Sequence, residues 1–181
     1  MFLTKEELKK GLTFILDSPH DQGILELIVR RPQINEREII EEGQLDLAEG
    51  LLGDNWKVRG SSQTPDKSAH PEMQLTIMNA RIIALIARDK SRWPLAGDQL
   101  YIDLDLSEKN LPPGSRLAIG SAIVEVTAIA HMGCKKFAGR FGVDAMKFIN
   151  SPQGKALHLR GLNTKVIQPG IIRVGDVVRR V

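Results

Sequence analysis

The stretch PGSRLAIGSAIVEVTAIA, residues 113–130, decides the fold class of this chain. It contains two short apolar runs, Arg116–Ile119 and Ala122–Ala130, which are separated by Gly120 and preceded by a Pro-Gly turn. Short runs rich in β-branched residues and bounded by glycine and proline are typical of strands joined by tight turns. The stretch therefore predicts a β-hairpin in the second half of the chain.

Similar runs repeat on both sides of this hairpin, and glycine and proline turns separate them. Many short strands at regular spacing indicate a closed or nearly closed β-barrel. The further predicted strands are Ile24–Val29, Leu75–Met78, Leu100–Leu106, Leu157–Arg160, Thr164–Ile167 and Val177–Val181.

Three helices are predicted beside these strands, so we expect a mainly β fold with peripheral helices (α+β). Thr4 and Glu7 fit a capping box at the start of the first helix. Asn35 predicts a second helix from Glu36 to about Leu52. Asn79 predicts a third, which carries an apolar face. Residues 60–71 have no apolar period, and we expect an exposed loop there, mobile and near a site.

The length and composition fit one domain of 181 residues with 42% hydrophobic content. We expect residues 1–72 to pack helices, a strand and a loop on a main barrel formed by residues 73–181. No apolar run is long enough to span a membrane and the N-terminus is charged early, which predicts a soluble, cytoplasmic protein. A net charge of +3 and 4% aromatic residues make a nucleic-acid partner the minority interpretation.

Cys134 is the single cysteine of the chain, and it lies in HMGCKKFAGRFG, residues 131–142. It has no second cysteine for an internal disulfide, so its chemistry needs a partner molecule. Lys135, Lys136, Arg140 and a protonated His131 are the cations that can favour its thiolate. We expect a strand end on the barrel rim here, with Cys134, His131 and Lys135 as catalytic candidates. The alternative is a buried structural cysteine.

His131 and Cys134 have a spacing that could supply two metal ligands, but no second pair completes a zinc site, so zinc is not expected. Molybdenum held by one thiolate and by the sulfurs of a cofactor needs fewer protein ligands and stays open. Arg160, in the segment Arg160–Asn163, is a candidate for binding a phosphate or carboxylate. The alternative is a surface arginine in a turn.

Three segments resemble the MOSC domain, which is named after the C-terminal domain of molybdenum cofactor sulfurase. They are GDQLYIDLDLSEKNLPPGSRLAIG (97–120), AIVEVTAIAHMGCKKF (122–137) and LRGLNTKVIQPGIIRVGD (159–176). GLLGDNW (50–56) and TIMNAR (76–81) extend the resemblance more weakly. It implies a MOSC-like β-barrel in a small, stand-alone bacterial-type form.

The resemblance also implies site residues and a cofactor. Cys134 would carry a persulfide sulfur or ligate the molybdenum of a molybdenum-pterin cofactor. The cofactor-binding candidates are Lys136, Arg140, Arg160, Asn163 and Arg81. The protein would be a sulfur carrier or sulfur transferase, or a molybdenum-dependent reductase of N-hydroxylated compounds.

Partner proteins follow from the same resemblance. The sulfurase carries a pyridoxal-phosphate-dependent cysteine desulfurase domain, and no pyridoxal phosphate site is evident in this chain. A sulfur donor such as a cysteine desulfurase, or an electron-donor protein, would therefore act with it.

Two alternatives from other classes remain open. One is a non-catalytic β-barrel that binds RNA or an acidic protein. It would use arginines at positions 30, 31, 59, 173, 179 and 180. The other is a structural or regulatory subunit with an inert, buried Cys134.

Overall fold

Seven strands close a β-barrel in the computed structural model, which describes residues 2–181. The order around the barrel is β11-β7-β8-β9-β5-β6-β1, and β1 closes it by pairing with β11. These strands are β1 (Gln22–Arg30), β5 (Leu75–Asn79), β6 (Leu100–Asp103), β7 (Arg116–Ile119), β8 (Ala122–Val126), β9 (Leu162–Gln168) and β11 (Val177–Arg180). The predicted hairpin is β7 and β8, and the expected α+β barrel is confirmed.

Four further strands lie beside the barrel. They are β2 (Glu38–Ile40), which pairs with β1, and a separate sheet of β10 (Gly170–Arg173), β3 (Glu42–Asp46) and β4 (Gly50–Leu51). Among the barrel pairings of the described residues only β5 and β6 run parallel. A parallel pair needs a crossover connection, and the helix that starts at Ala80 supplies it.

The helices pack mainly on one side of the barrel. They are α1 (Lys5–Lys10), α2 (Leu12–Leu16), α3 (Trp56–Arg59), α4 (Ala80–Ala87), α5 (Lys135–Phe141), α6 (Val143–Ile149) and α7 (Pro152–Ala156). Short 3-10 helices form at Pro71–Met73 and Lys90–Ala96. The capping box at Thr4 is confirmed, as is the cap at Asn79, whose side chain accepts from two backbone N–H groups at the start of α4.

Two apolar cores hold these layers together. The barrel interior contains side chains such as Leu25, Ile102 and Val124, which are fully buried. The second core lies between the barrel and the helices, where Ile82 of α4 packs in one cluster with Phe137 of α5. Because α5 shares this core, the start of α5 is held firmly against the barrel.

The predicted helix from Glu36 to Leu52 is wrong. Asn35 has φ 66°, a left-handed conformation, instead of the extended backbone of a helix cap. Residues of β3 alternate between exposed and buried, which is the period of a strand, and Gly43 and Leu45 are the buried ones. Most residues of the predicted helix therefore form the short paired strands β2, β3 and β4.

The predicted strand Leu157–Arg160 is also wrong, and helices α5, α6 and α7 occupy residues for which no helix was expected. Ser151 caps α7 through the Gly154 N–H, and Pro152 is suited to the first helical position. His158 has φ 47°, which no strand residue adopts. This region therefore packs as short helices against the second core.

The expected division at residue 72 assigns β1 to the periphery, whereas the structure places β1 within the barrel between β6 and β11. Residues 61–70 form neither helix nor strand, in line with the expected loop. None of the helices formed by the described residues is long and apolar enough to cross a membrane.

Candidate functional site

Cys134 is exposed at the N-terminus of α5. Strand β8 ends at Val126, and an irregular segment, Thr127–Gly133, leads from it to the cysteine. Cys134 is the N-cap residue, with an extended backbone at φ −118° and ψ 177°. The expected placement directly at a strand end is therefore corrected, because the sulfur lies where a helix begins.

The pKa of the Cys134 thiol is lower than that of an ordinary cysteine. Partial burial by itself raises this pKa, but the backbone N–H groups of Phe137 and Lys136 outweigh it, and the charge of Arg160 adds to their effect. Free N–H groups at a helix start carry partial positive charge, which favours a thiolate. The main cause of this lower pKa is the helix start and not the flanking lysines, and the reactivity of the thiol stays a prediction.

A basic cavity of about 220 Å³ adjoins the sulfur, and we call it the cysteine cavity. Its lining includes Cys134, His131 and Asn163. It also includes six cationic side chains, those of Arg31, Arg37, Arg59, Lys136, Arg140 and Arg160. Ion pairs with Asp54 and Asp98 balance the charges of Arg31 and Arg160, and the remaining cations make the cavity complementary to an anionic ligand.

Two of these arginines, Arg37 and Arg59, have lowered pKa values because they are desolvated and because other cations lie close to them. Burial lowers the pKa of Arg37, and the charges of Arg140 and Arg31 lower it further. Partial desolvation also lowers the pKa of Arg59, although its side chain stays exposed, and the charge of Arg31 adds to the effect. A bound anion would relieve this repulsion, because it supplies the opposite charge that these two arginines lack.

A buried ion-pair network forms one side of the cysteine cavity. The fully buried carboxylate of Asp98 accepts from Arg160 Nη1 at 2.6 Å and from His131 Nε2 at 3.0 Å. Arg160 also donates to the Ala96 carbonyl at 3.0 Å, and its guanidinium lies 5.2 Å from the centre of the Phe137 ring. Arg160 is therefore fixed in place between the barrel and α5.

His131 is uncharged in this network near neutral pH. Burial lowers its pKa below the ordinary value, and the charge of Arg160 lowers it further, against the opposing effect of Asp98. Because a carboxylate only accepts, Nε2 carries the proton of the imidazole. The expectation that a protonated His131 favours the Cys134 thiolate is corrected, because this imidazole is kept neutral.

Two buried polar atoms in the lining of the cysteine cavity have no hydrogen-bond partner. They are Arg160 Nε, a donor, and Asn163 Oδ1, an acceptor. Arg160 is 7% exposed and Asn163 is 1% exposed, while Asn163 Nδ2 donates to the Ile129 carbonyl at 3.0 Å. Leaving buried polar groups unpaired costs free energy, so such groups point to a missing ligand or water.

The structure brings most of the predicted site residues together. Cys134, His131, Lys136, Arg140, Arg160 and Asn163 all line the cysteine cavity. Lys135 is exposed and is absent from the lining. Arg81 is also absent from it, because Arg81 Nε donates to Asp103 Oδ1 at 2.7 Å elsewhere.

Several site residues escaped the sequence analysis. Asp98 stands in a Gly-Asp pair of the kind that usually marks a turn, yet it anchors Arg160 and His131. Arg31 was expected only on a surface, but it forms a paired contact with the buried Asp54, at 2.9 and 2.7 Å. Asp54 belongs to the GLLGDNW segment, whose weak resemblance to the MOSC domain was the one sequence signal that could have pointed to this contact.

A second, larger cavity of about 460 Å³ shares His131 and Arg160 with the cysteine cavity. It lies between the segment Thr127–Met132 and the residues around α7, and its lining is mostly apolar. The sulfur of Cys134 lines only the smaller, basic cavity, which we therefore take as the centre of the site.

Residues 2–181 contain no group of three or more His, Cys, Asp or Glu side chains that could hold a metal ion. A metal at this site would need ligands from a cofactor in addition to Cys134.

The family model of the MOSC domain matches residues 64–179. The chain belongs to the MOSC domain family. The matched range contains Cys134, Asp98 and Arg160, whereas Arg31 and Arg59 of the cysteine cavity lie outside it. This MOSC domain thus completes its cavity with residues from the N-terminal part of the chain. A search among curated proteins found no match.

Solved structures support the fold of this MOSC domain. The YuaD protein from Bacillus subtilis superposes with a TM-score of 0.61 at 16% sequence identity, over 88% of this chain and 95% of that one. YiiM from Geobacillus stearothermophilus gives 0.59 at 16% identity, over 88% and 75%. YiiM from Escherichia coli gives 0.54 at 20% identity, over 87% and 69%. At these identities the likeness establishes the fold alone.

Proposed function

We propose that the cysteine cavity binds a molybdenum-pterin cofactor or a related sulfur-bearing anion, with the sulfur of Cys134 at the reacting position. The observation that carries this proposal is the combination of one exposed, low-pKa thiol with six cationic side chains around a single cavity. MOSC domains are associated with molybdenum cofactor sulfurase-like function, and this chain has the cysteine that the resemblance requires.

The donors in the cavity fit an anionic cofactor. Arg37 and Arg59 have no carboxylate ion pair among the described residues, so their charge is available to phosphate oxygens. The charge of Arg160 is matched by Asp98, but its free Nε–H can donate one more hydrogen bond, and Asn163 Oδ1 can accept one. These groups would hold the cofactor, and Cys134 would supply the thiolate ligand to molybdenum.

In the carrier variant of this proposal, Cys134 receives a sulfur atom from a persulfide on a donor protein. The Cys134 thiolate attacks the outer sulfur of the donor persulfide, a new S–S bond forms, and the donor cysteine leaves as a thiolate. The reaction needs no external oxidant or reductant, and its driving force depends on the two thiol pKa values. A low pKa keeps Cys134 ionised for the attack.

In the enzyme variant, a bound molybdenum-pterin group supplies two-electron redox chemistry for reduction of an N-hydroxylated compound. Two electrons from a partner protein and two protons would convert the N–OH group to N–H and water. The larger cavity, which shares His131 and Arg160 with the cysteine cavity, would receive the organic part of the substrate. The hydrogen bond to Asp98 would keep the neutral ring of His131 in one orientation beside this substrate.

Loading measurements on purified protein test the proposal. The wild type and Cys134→Ser are purified from a host that makes molybdenum cofactor, with bound molybdenum measured by elemental analysis and added sulfur by intact mass. We expect the wild type to carry one or the other and Cys134→Ser to carry neither. If neither molybdenum nor added sulfur ever depends on Cys134, the proposal fails.

Matched arginine variants separate the cavity from general surface charge. Arg59→Gln removes a charge from the cysteine cavity, while Arg116→Gln removes one from an exposed ion pair with Glu125 on the barrel. We expect the first to lower loading severalfold and the second to leave it unchanged. Equal loading of both variants would contradict the role of the basic cavity.

A further inference from the structure

Asn150 holds the residue that precedes Cys134. It is the C-cap of α6, and its carboxamide forms two hydrogen bonds with the backbone of Gly133. Asn150 Oδ1 accepts from the Gly133 N–H at 2.9 Å, and Nδ2 donates to the Gly133 carbonyl at 3.0 Å. The amide thus satisfies both polar backbone groups of one residue, as a paired strand would.

One of these bonds acts directly on the peptide group of the cysteine. The Gly133 carbonyl and the Cys134 N–H belong to one planar peptide unit. A hydrogen bond that fixes this carbonyl therefore also fixes the orientation of the bond that enters Cys134. The Cys134 carbonyl is held on its other side, because it accepts from the Ala138 N–H at 3.1 Å in the first turn of α5.

The segment before Cys134 has few other attachments. Among the described residues the N–H groups of Ala128 and Met132 donate no backbone hydrogen bond, and Ile129 and His131 are held by the side chains of Asn163 and Asp98. The Asn150 amide is the attachment next to the sulfur. Without it the Gly133–Cys134 peptide can rotate and the sulfur can shift relative to the cavity, since no other hydrogen bond holds Gly133 among the described residues.

Glycine at position 133 permits this close contact. A Cβ there would lie 2.7 Å from Ile149 Cδ1 and 3.3 Å from Asn150 Nδ2, so a larger residue would push the segment away from α6. Ile149 is 1% exposed and belongs to the second core, which leaves it little room to move. The contact between Gly133 and Asn150 therefore attaches the segment Thr127–Gly133 to the end of α6.

We infer that Asn150 is a positioning residue that holds the Cys134 sulfur in the basic cavity. Its importance for loading rests on the proposed function, whereas its effect on the place of the sulfur does not. The inference assigns to α6 a part in the site, although no residue of the helix itself lines the cysteine cavity.

The charge preference of thiol alkylation reports where the sulfur lies. Beside six cationic side chains, Cys134 should react faster with anionic iodoacetate, relative to neutral iodoacetamide, than a free cysteine does. We expect Asn150→Leu, which removes both hydrogen bonds at similar size, to lower this rate ratio by about fivefold at low salt, because the sulfur leaves the field of the cavity. In the wild type, added salt should lower the ratio of the iodoacetate rate to the iodoacetamide rate. In Asn150→Leu this ratio should no longer depend on salt.

Asn110→Leu is the matched control. Asn110 also holds a loop through Nδ2, which donates to the His20 carbonyl at 2.9 Å and the Asp105 carbonyl at 2.8 Å, but it lines neither cavity. We expect it to keep the wild-type rate ratio. Wild-type ratios in an Asn150→Leu protein that is folded would overturn the inference.

Hydrogen exchange of the wild type tests the contact between Gly133 and Asn150 without a substitution. The Gly133 amide should exchange at least tenfold more slowly than the Met132 amide, because only Gly133 donates to Asn150. Equal exchange at the two amides would also overturn the inference. Neither measurement requires molybdenum or sulfur, so a failure of the proposed function and a failure of this inference give different results.

Discussion

At the scale of single residues, the reactivity of Cys134 depends on where α5 begins. The N–H groups of Lys136 and Phe137 lower the thiol pKa because Cys134 is the N-cap residue. The side chains of the adjacent lysines project from the same turn, but Lys135 is exposed to solvent, where water and salt screen its charge. The N–H groups at the helix start therefore have more effect on the thiol pKa than the lysine charges that stand next to the cysteine in the sequence.

The pH dependence of Cys134 alkylation tests this account. We expect the iodoacetamide rate of the wild type to reach half its maximum at a lower pH than that of a free cysteine measured under the same conditions, because the pKa of the Cys134 thiol is lowered. Lys135→Gln should leave that midpoint in place, since Lys135 is not among the causes of the shift. A midpoint that rises to the free-cysteine value in Lys135→Gln would show that the lysine charge decides.

The sequence predicted those site residues that stand near Cys134 or in a motif with a known role. Lys136, Arg140 and Asn163 were found in this way, and they line the cysteine cavity. Asp98 and Arg37 were not found, because their part in the site depends on contacts across the fold. Such contacts leave no local pattern in the sequence.

At the scale of secondary structure elements, strands with β-branched residues were predicted well, and segments with mixed signals were not. β8 and β9 followed from their apolar runs, with shifts at the ends. The run EREIIEE, residues 36–42, is rich in glutamate, which suits a helix by propensity, but the pairing of β2 with β1 and of β3 with β10 decides its conformation. Tertiary contacts overrode local preference there.

Asp54 connects several elements around the cysteine cavity. Its carboxylate binds Arg31 at the end of β1, the Trp56 N–H at the start of α3 and the Gln99 amide before β6. Both Asp54 and Arg31 are buried, and Arg31 also donates to the Gly97 carbonyl. One buried carboxylate thus fixes α3, which carries Arg59 into the cavity.

Removal of the Asp54 carboxylate should destabilise the fold strongly. We expect Asp54→Ala to lower the free energy of unfolding by about 3–5 kcal/mol, because it leaves the Arg31 charge buried and unpaired. Glu38→Ala, which breaks the exposed pair of the neighbouring Arg30, should cost about 0–1 kcal/mol. Urea denaturation of both variants measures the difference, and equal losses would contradict it.

At the scale of the whole molecule, the cysteine cavity is assembled from both parts of the chain. Arg31, Arg37 and Arg59 come from the region before the family match, and the cysteine comes from within it. Arg31 directly follows β1 of the barrel, Arg37 directly precedes β2, which pairs with β1, and Arg59 ends α3. The barrel fold was predictable from strand spacing, but this joint assembly depends on barrel closure, which spacing does not reveal.

The stability of the molecule should fall between pH 7.5 and 5.5 partly through His131. The folded state keeps this imidazole neutral, whereas the unfolded chain takes up a proton below about pH 6.5. More protons are then bound by the unfolded state, so the free energy of unfolding decreases as pH falls. His131→Gln should show a shallower decrease in urea denaturation across this range. Parallel pH curves for the two proteins would contradict the assignment.

Closure of the barrel by β1 and β11 also sets the order of events during synthesis. β1 ends at Arg30 and its partner β11 begins at Val177, so all residues between them must be synthesised before the two strands can pair. Until then β1 and β7 each present an unpaired edge, and folding must wait for a contact of very large sequence separation. We therefore expect the pairing of β11 with β1 and β7 to form late in folding, and a chain that ends before Val177 to leave one edge of each strand without its partner.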